Sequence, residues 1–204
     1  MQQDTEKHFF IIIGRSGSGK GTQAQLLKKV LTEKGFGKVT HVTTGEAFRA
    51  FIKRDNHIAR LAREINDKGL LQPEFLAVWN WSNIFIDSVE ENETVILDGA
   101  PRKPFEVEIL HSAITFLGYK NPIVIYLDTA ESVSREHLIK RGREDDKGDV
   151  ITRRINWFDT DVLPAIELYT HDPRYSLIHV NGDQTIKEVH NEIIGKLRPL
   201  VSTL

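Results

Sequence analysis

An apolar, β-branched run, Phe9–Ile13, leads without a break into Gly14-Arg-Ser-Gly-Ser-Gly-Lys20-Gly-Thr22, and helical spacing follows. Leu27, Val30 and Leu31 recur on one side of that helix, and Gly35 stands where a left-handed residue would close it. A strand that turns on glycines directly into a helix leaves few folds open. The glycines let successive backbone N–H groups turn inward, the helix adds the positive end of its dipole, and Lys20 reaches towards the outer phosphates. This is a cradle for a nucleoside triphosphate, and Ser16, Gly17, Ser18, Gly19, Lys20, Gly21 and Thr22 are its candidate binding residues.

Further short apolar runs, Val39–Val42, Val95–Leu97, Ile123–Leu127 and Leu177–Val180, alternate with helical patterns. That alternation predicts an α/β fold whose mostly parallel sheet is covered on both faces, with ligands beyond the carboxyl ends of the strands. With 204 residues, 40% of them hydrophobic, and no repeat or linker-like tract, the chain reads as a single domain, 1–204, with a full core. The absence of cysteine excludes thiol catalysis and cysteine-based zinc sites, and the eight histidines show no metal-ligand spacing. A net charge of -2 gives no global attraction to nucleic acid or anionic membrane, and the apolar runs are too short to span a bilayer. Residues 1–8 are polar and mixed in charge, unlike a targeting segment. The expectation is a cytoplasmic monomer whose partners are small-molecule nucleotides, with neither nucleic acid nor membrane among them.

A phosphate cradle serves switches, motors and kinases alike, so the remaining residues must choose. No Asn-Lys-x-Asp segment is present to read guanine, and Asp98, which ends the run Thr94–Asp98, is followed by Gly99 rather than by a glutamate that could position water. An alcohol acceptor needs a carboxylate base, for which only Asp98 is well placed. A phosphate monoester, with a second pKa near 6, is already a nucleophile at neutral pH, and its enzyme needs cations instead. Arg49, Arg102, Arg141, Arg143 and Arg154 follow the second, third and fourth predicted strands, whereas Arg54, Arg60, Arg63 and Arg198 read as surface residues. Because Lys20 is followed by Gly21 and the hydroxyl comes only at Thr22, Mg²⁺ is expected to be held by Asp98 through its hydration shell.

These segments together resemble the adenylate kinases and related nucleoside monophosphate kinases over nearly the whole chain. The phosphate loop resembles the family's, with Ser16 where proline is common. Thr43-Thr-Gly-Glu-Ala-Phe-Arg49 resembles its acceptor segment, which implies that Thr44 touches the base and Arg49 the monophosphate. Asp67-Lys-Gly-Leu-Leu71 resembles the stretch that lines the acceptor base pocket, although Gln72 stands where valine is usual. Leu97-Asp-Gly-Ala-Pro-Arg102 implies that Gly99 and Arg102 bind the acceptor. Arg143-Glu-Asp-Asp146, with Arg154, resembles the lid arginines that span both phosphates, and Arg141 would lie near the donor. The resemblance thus implies a three-layer fold with a five-stranded parallel sheet, a small helical acceptor segment at about 44–73 and a lid at about 142–149. The implied reaction is reversible Mg²⁺-dependent transfer from ATP to AMP, giving two ADP, with Lys20, Arg102, Arg143 and Arg154 as its catalytic cations. The brief lid offers little surface to exclude water, which implies faster futile ATP hydrolysis than in long-lid relatives.

One departure bears on the acceptor. Glu106 stands where the family carries a glutamine that reads adenine, and an ionised carboxylate only accepts hydrogen bonds. It leaves open GMP or a broader range of monophosphates, a protonated carboxyl, or a side chain turned away to Lys103 or solvent. A reading from another class is a regulatory module that binds nucleotide without transfer, against which all five arginines are retained. Trp79, Trp81 and Trp157 read as core residues, and Asp145 and Asp146 either as partners of the lid arginines or of the closing acceptor segment, or as a solvated acidic loop.

Overall fold

The computed structural model describes residues 7–143, 146, 148–202 and 204. Its chain order is β1 (Phe9–Gly14), α1 (Lys20–Glu33), β2 (Val39–Thr43), α2 (Thr44–Phe51), α3 (His57–Asp67), α4 (Glu74–Ser88), β3 (Thr94–Asp98), α5 (Pro104–Phe116) and β4 (Ile123–Asp128). There follow α6 (Glu131–Arg141), α7 (Asp149–Trp157), a π-helical turn (Phe158–Val162), α8 (Leu163–His171), β5 (Ser176–Asn181) and α9 (Ile186–Leu197). The five strands form one sheet in the order β2-β3-β1-β4-β5, every neighbouring pair parallel. Each expected strand is present and extends by one or two residues beyond the apolar run that signalled it.

The strand side chains alternate between the two faces, which is why β1 can be apolar throughout and still serve two cores. Phe9, Ile11 and Ile13 join Val95, Leu97 and Val124 against Trp81 and Phe85 of α4, Leu110 and Ile114 of α5 and Ile166 of α8. Phe10 and Ile12 join Ile96, Ile125 and Leu127 against Leu27 and Leu31 of α1 and Val189 and Ile193 of α9. Gly35 closes α1 as its position implies: it is left-handed, with φ 83°, and the next residue, Phe36, donates back to the Leu31 carbonyl at 3.1 Å.

Two small clusters stand apart from these cores. Phe51, Ala59, Ala62 and Leu76 hold α2 and α3 to the start of α4, while Leu138, Ile151 and Ile155 hold α7 to α6. Both belong to segments that overhang the carboxyl ends of the strands. Among the described residues no helix is long and apolar enough to cross a membrane.

Candidate active site

The loops beyond the carboxyl ends of β1, β2 and β3 enclose a cleft of about 740 Å³, the size of a small-molecule site. Ser16, Gly17, Ser18, Gly19, Lys20, Gly21 and Thr22 all line it. Lys20 Nζ donates to the carbonyls of Gly14 (2.9 Å) and Arg15 (2.7 Å). Burial lowers its pKa from 10.5 to about 8; Asp98 opposes that effect, while Arg102 and Arg141 add to it.

Asp98 ends β3, buried, and faces the start of α1: a Cβ added at Gly21 would lie 3.3 Å from its Oδ2. His41 Nε2 stands 3.8 Å from the same oxygen and is buried without a hydrogen-bond partner. Among the described residues no group of three His, Asp or Glu side chains could ligate a metal directly. A single carboxylate beside a phosphate loop fits Mg²⁺, which keeps most of its waters and takes other ligands from substrate phosphates.

The acceptor-segment residues meet Asp98 and its neighbours from the other side. Thr44 opens α2; its hydroxyl donates to the Asp98 carbonyl at 3.1 Å, and its own carbonyl accepts from Asn80 Nδ2 at 2.9 Å. Gly99 has φ 92°, and a Cβ there would lie 2.6 Å from Thr44 Oγ1, so this position has room only for glycine. Arg49, in the last turn of α2, and Leu71 also line the cleft. Arg102 Nε donates to the Gly99 carbonyl at 2.9 Å, and its guanidinium lies 5.5 Å from the centre of the Trp157 ring. Burial lowers the Arg102 pKa, opposed by Glu106 and Asp98 and reinforced by Arg154 and Arg49.

Glu106 takes neither solvent nor the Lys103 ammonium as its partner. It is buried, and its Oε1 accepts the backbone N–H groups of Arg102 (3.1 Å) and Lys103 (3.2 Å), capping α5 as the third residue of a helix that opens on Pro104. Burial pushes its carboxyl upward, against the pull of these hydrogen bonds and of Arg102.

Arg141 and Arg154 meet on one carboxylate. Asp146 has no exposed side-chain surface; it accepts Arg141 Nε (2.7 Å) and Nη2 (2.9 Å) as a fork and Arg154 Nη1 at 3.0 Å. Arg154 Nη2 also reaches Asn66 Oδ1 at 3.2 Å. Asp146 is therefore a partner of Arg141 and Arg154 and not part of a solvated loop, while Asp145 lies outside the described residues. Arg143 is exposed at the mouth of the cleft. Arg54, Arg60, Arg63 and Arg198 stay on the surface, as expected.

Sequence reasoning passed over several residues that line this cleft. Trp81 is core, and Trp79 packs on Phe51, 4.9 Å between ring centres, although its partial burial leaves it short of a full core residue. Trp157, expected in the core, is half-buried at the edge of the main core and also stands in the cleft wall, where its indole meets Arg102 and Gly69. His41, Asn66 and Asn80 carry no local signal. At the far end Gly182, Gln184 and Ile186 line the cleft beside Gln23, whose amide donates to the Ile186 carbonyl at 3.0 Å. Only Glu106 had a readable signature, a proline at the first helical position with a glutamate two residues on.

Comparison with known proteins agrees with this geometry. The family model described as Adenylate kinase matches residues 12–173. Adenylate kinase 1 of Nostoc sp. is 33% identical over 187 residues, 92% of this chain and 97% of that protein. The adenylate kinase of Phocaeicola vulgatus is 31% identical over 194 residues, covering 93% and 98%, and that of Bacteroides fragilis 32% over 187 residues, covering 90% and 94%. A cleft that brings a phosphate loop together with arginines from three further segments, in a chain matched along most of its length, places this protein in the adenylate kinase family.

Proposed function

We propose that this protein transfers the γ-phosphoryl group of ATP to AMP, reversibly, giving two ADP. The observation that carries the reading is the convergence of Lys20, Arg49, Arg102, Arg141, Arg143 and Arg154 on one cleft from four separate segments. A site for one triphosphate would need the phosphate loop alone; cations on the opposite wall suit a second anionic nucleotide.

In this reading the phosphate loop and Lys20 hold the donor, with Arg141 beside it, and Mg²⁺ held through water by Asp98 would neutralise charge on the donor phosphates. The acceptor segment, about 44–73, supplies Thr44, Arg49 and Leu71, and Gly99 and Arg102 complete the acceptor site. A phosphate oxygen of the acceptor attacks the γ-phosphorus, the bond to the β–γ bridging oxygen breaks, and its electrons leave with ADP. No general base is required, because the acceptor oxygen is already deprotonated near neutral pH. Arg143 and Arg154, on the lid at about 142–149 and the helix leaving it, stabilise the migrating group, so catalysis is chiefly positioning and electrostatics.

AMP is favoured over GMP by what Glu106 does. One oxygen of its carboxyl is committed to the start of α5, so it cannot present a pair of acceptors to the N1–H and N2–H of guanine. The relatives' names support the same choice.

The test is phosphorus NMR of the purified protein with Mg·ATP and, in separate samples, AMP, GMP, CMP, UMP or no acceptor. ADP formation with AMP far above the other samples is the expected result. GDP formation would reassign Glu106 as a guanine reader, and silence with every acceptor would overturn the kinase reading in favour of a nucleotide-binding module.

A further inference from the structure

The tryptophan in the cleft wall touches two parts of the site at once. On one side its Nε1 donates to the Gly69 carbonyl, at 3.2 Å, in the loop that follows α3. On the other, its ring faces the Arg102 guanidinium at 5.5 Å, close enough for a cation to be attracted by the ring's negative face. We propose that Trp157 is a positioning residue, a latch through which docking of the acceptor segment onto α7 orients Arg102. The inference rests on the reading that Arg102 and the acceptor segment hold the nucleoside monophosphate.

The surroundings explain why a single indole would matter. The acceptor segment has only a small apolar cluster of its own, separate from both main cores, so polar contacts carry much of its placement against α7. Three lie side by side: Trp157 to the Gly69 carbonyl, Arg153 Nη1 to the Lys68 carbonyl at 2.7 Å, and Arg154 Nη2 to Asn66 at 3.2 Å. Val150 backs them, packed so closely that a Cβ at Gly69 would lie 3.0 Å from its Cγ1. Of these residues Trp157 is the one whose ring lies against the Arg102 guanidinium.

The end of α7 that carries Trp157 is itself fixed to the phosphate loop. Arg15 Nη1 donates to the Ile155 carbonyl at 2.9 Å, its Nη2 pairs with Asp159 at 3.0 Å, and its guanidinium lies over the Phe158 ring at 4.3 Å. The indole is thus held on a rigid mount while the acceptor segment comes to it. Placing Arg102 and closing the segment become one event, which matters because a misoriented guanidinium loses most of its effect on a developing charge.

Two substitutions separate the two contacts. Trp157→Phe keeps a ring face under Arg102 and removes the N–H; Trp157→Leu removes both. AMP affinity is read by titration calorimetry, which needs no turnover, and kcat and KM for AMP and ATP by a coupled assay, with thermal unfolding run alongside. Loss of one neutral hydrogen bond should weaken AMP binding about fivefold in Trp157→Phe, with ATP affinity changed less than twofold. Trp157→Leu should weaken AMP binding at least as much and show a kcat about tenfold below that of Trp157→Phe, from the missing ring face.

A residue that only fills space would lower the melting temperature and leave the ratio of AMP to ATP affinity at its wild-type value. That result, or equal kcat in the two variants, would overturn the latch. If Trp157→Leu fails to fold, the affinity ratio of Trp157→Phe decides. Wild-type protein that binds AMP without transfer would sink the kinase reading and leave the latch to calorimetry; wild-type protein that does not bind AMP would sink both.

Discussion

Lys20→Met separates what the phosphate-loop ammonium does for the fold from what it does for an anion. The ammonium is half-buried against two carbonyls of its own loop, and its removal from water lowers its pKa from 10.5 to about 8. At about 1.4 kcal/mol per tenfold change in acidity, the charged form costs the fold about 3 kcal/mol at neutral pH. Losing the hydrogen bonds to Gly14 and Arg15 offsets about half of that, so the variant should be more stable by about 1–2 kcal/mol. For a chain of this length the gain corresponds to a melting temperature about 2–8 °C higher. The sign with pH follows from the direction of the shift. The folded protein gives up this proton before the unfolded chain does, so from about pH 8 to 10.5 the unfolded state binds more protons and wild-type stability rises. The advantage of the variant should therefore shrink across the same window. Turnover should move the other way, falling at least about 100-fold, as when one preorganised charge donor is removed. The assay is thermal unfolding without nucleotide between pH 7 and 10, beside ADP formation from ATP and AMP. A variant less stable than wild type at pH 7, or a stability difference flat with pH, would refute the burial argument, and undiminished turnover would refute the catalytic role.

Three further substitutions probe the rest of the cleft. Asp146→Asn keeps the shape of a side chain with no exposed surface but removes the charge that Arg141 and Arg154 share; urea unfolding should show a loss of about 2–3 kcal/mol, less than for a fully enclosed pair because Arg141 is one-third exposed. Gly99→Ala puts a Cβ 2.6 Å from Thr44 Oγ1 at a φ of 92° and should destabilise by about 2–4 kcal/mol while raising KM for AMP more than for ATP. Glu106→Gln keeps an oxygen for the two N–H groups that cap α5 and removes a buried carboxylate. Since burial raises that carboxyl's pKa above its unfolded value, wild-type stability falls as pH rises from the ordinary carboxyl range through the raised value. The variant lacks this fall, so its stability relative to wild type should grow as pH rises above the ordinary carboxyl range, and a flat difference in thermal unfolding would contradict the upward shift.

The parts of this molecule that could be read from the sequence are those whose cause is local. A strand buried on both faces must be apolar throughout, so Phe9–Ile13 and Ile123–Leu127 announce themselves, and a loop that wraps phosphate needs glycines at set spacing. The arginines that line the cleft were singled out by chemistry, since a site for two anions would need cations wherever the fold puts them. What could not be read depends on contacts between distant segments. Nothing near Asp146 in the chain indicates that Arg154 will share it, and nothing near Trp157 indicates Gly69, 88 residues away. Glu106 is the instructive case: it invited a question about base recognition, whereas its first oxygen answers a requirement of its own helix.

The charge of the cleft joins these observations. The chain as a whole carries a net charge of -2, yet among the described residues the cleft is lined by eight Lys and Arg side chains and four Asp and Glu side chains. An excess of cations gathered in one partly buried place destabilises the fold; burial first, and neighbouring cations after it, lower the pKa of Lys20 and of Arg102. Asp146 relieves the repulsion between Arg141 and Arg154, and the Asp98 carboxylate opposes the lowering at Lys20. What remains uncompensated is available to polyanionic ligands. Bound phosphates would raise the pKa of Lys20 back towards its ordinary value, and the free energy recovered in doing so appears as binding. The stability that Lys20→Met gains without nucleotide and the stability that wild type gains on binding nucleotide thus share an origin, so the variant's response to nucleotide should fall short of the wild type's by up to about 3 kcal/mol, the full cost of the lowered pKa and more than the rise in its own baseline.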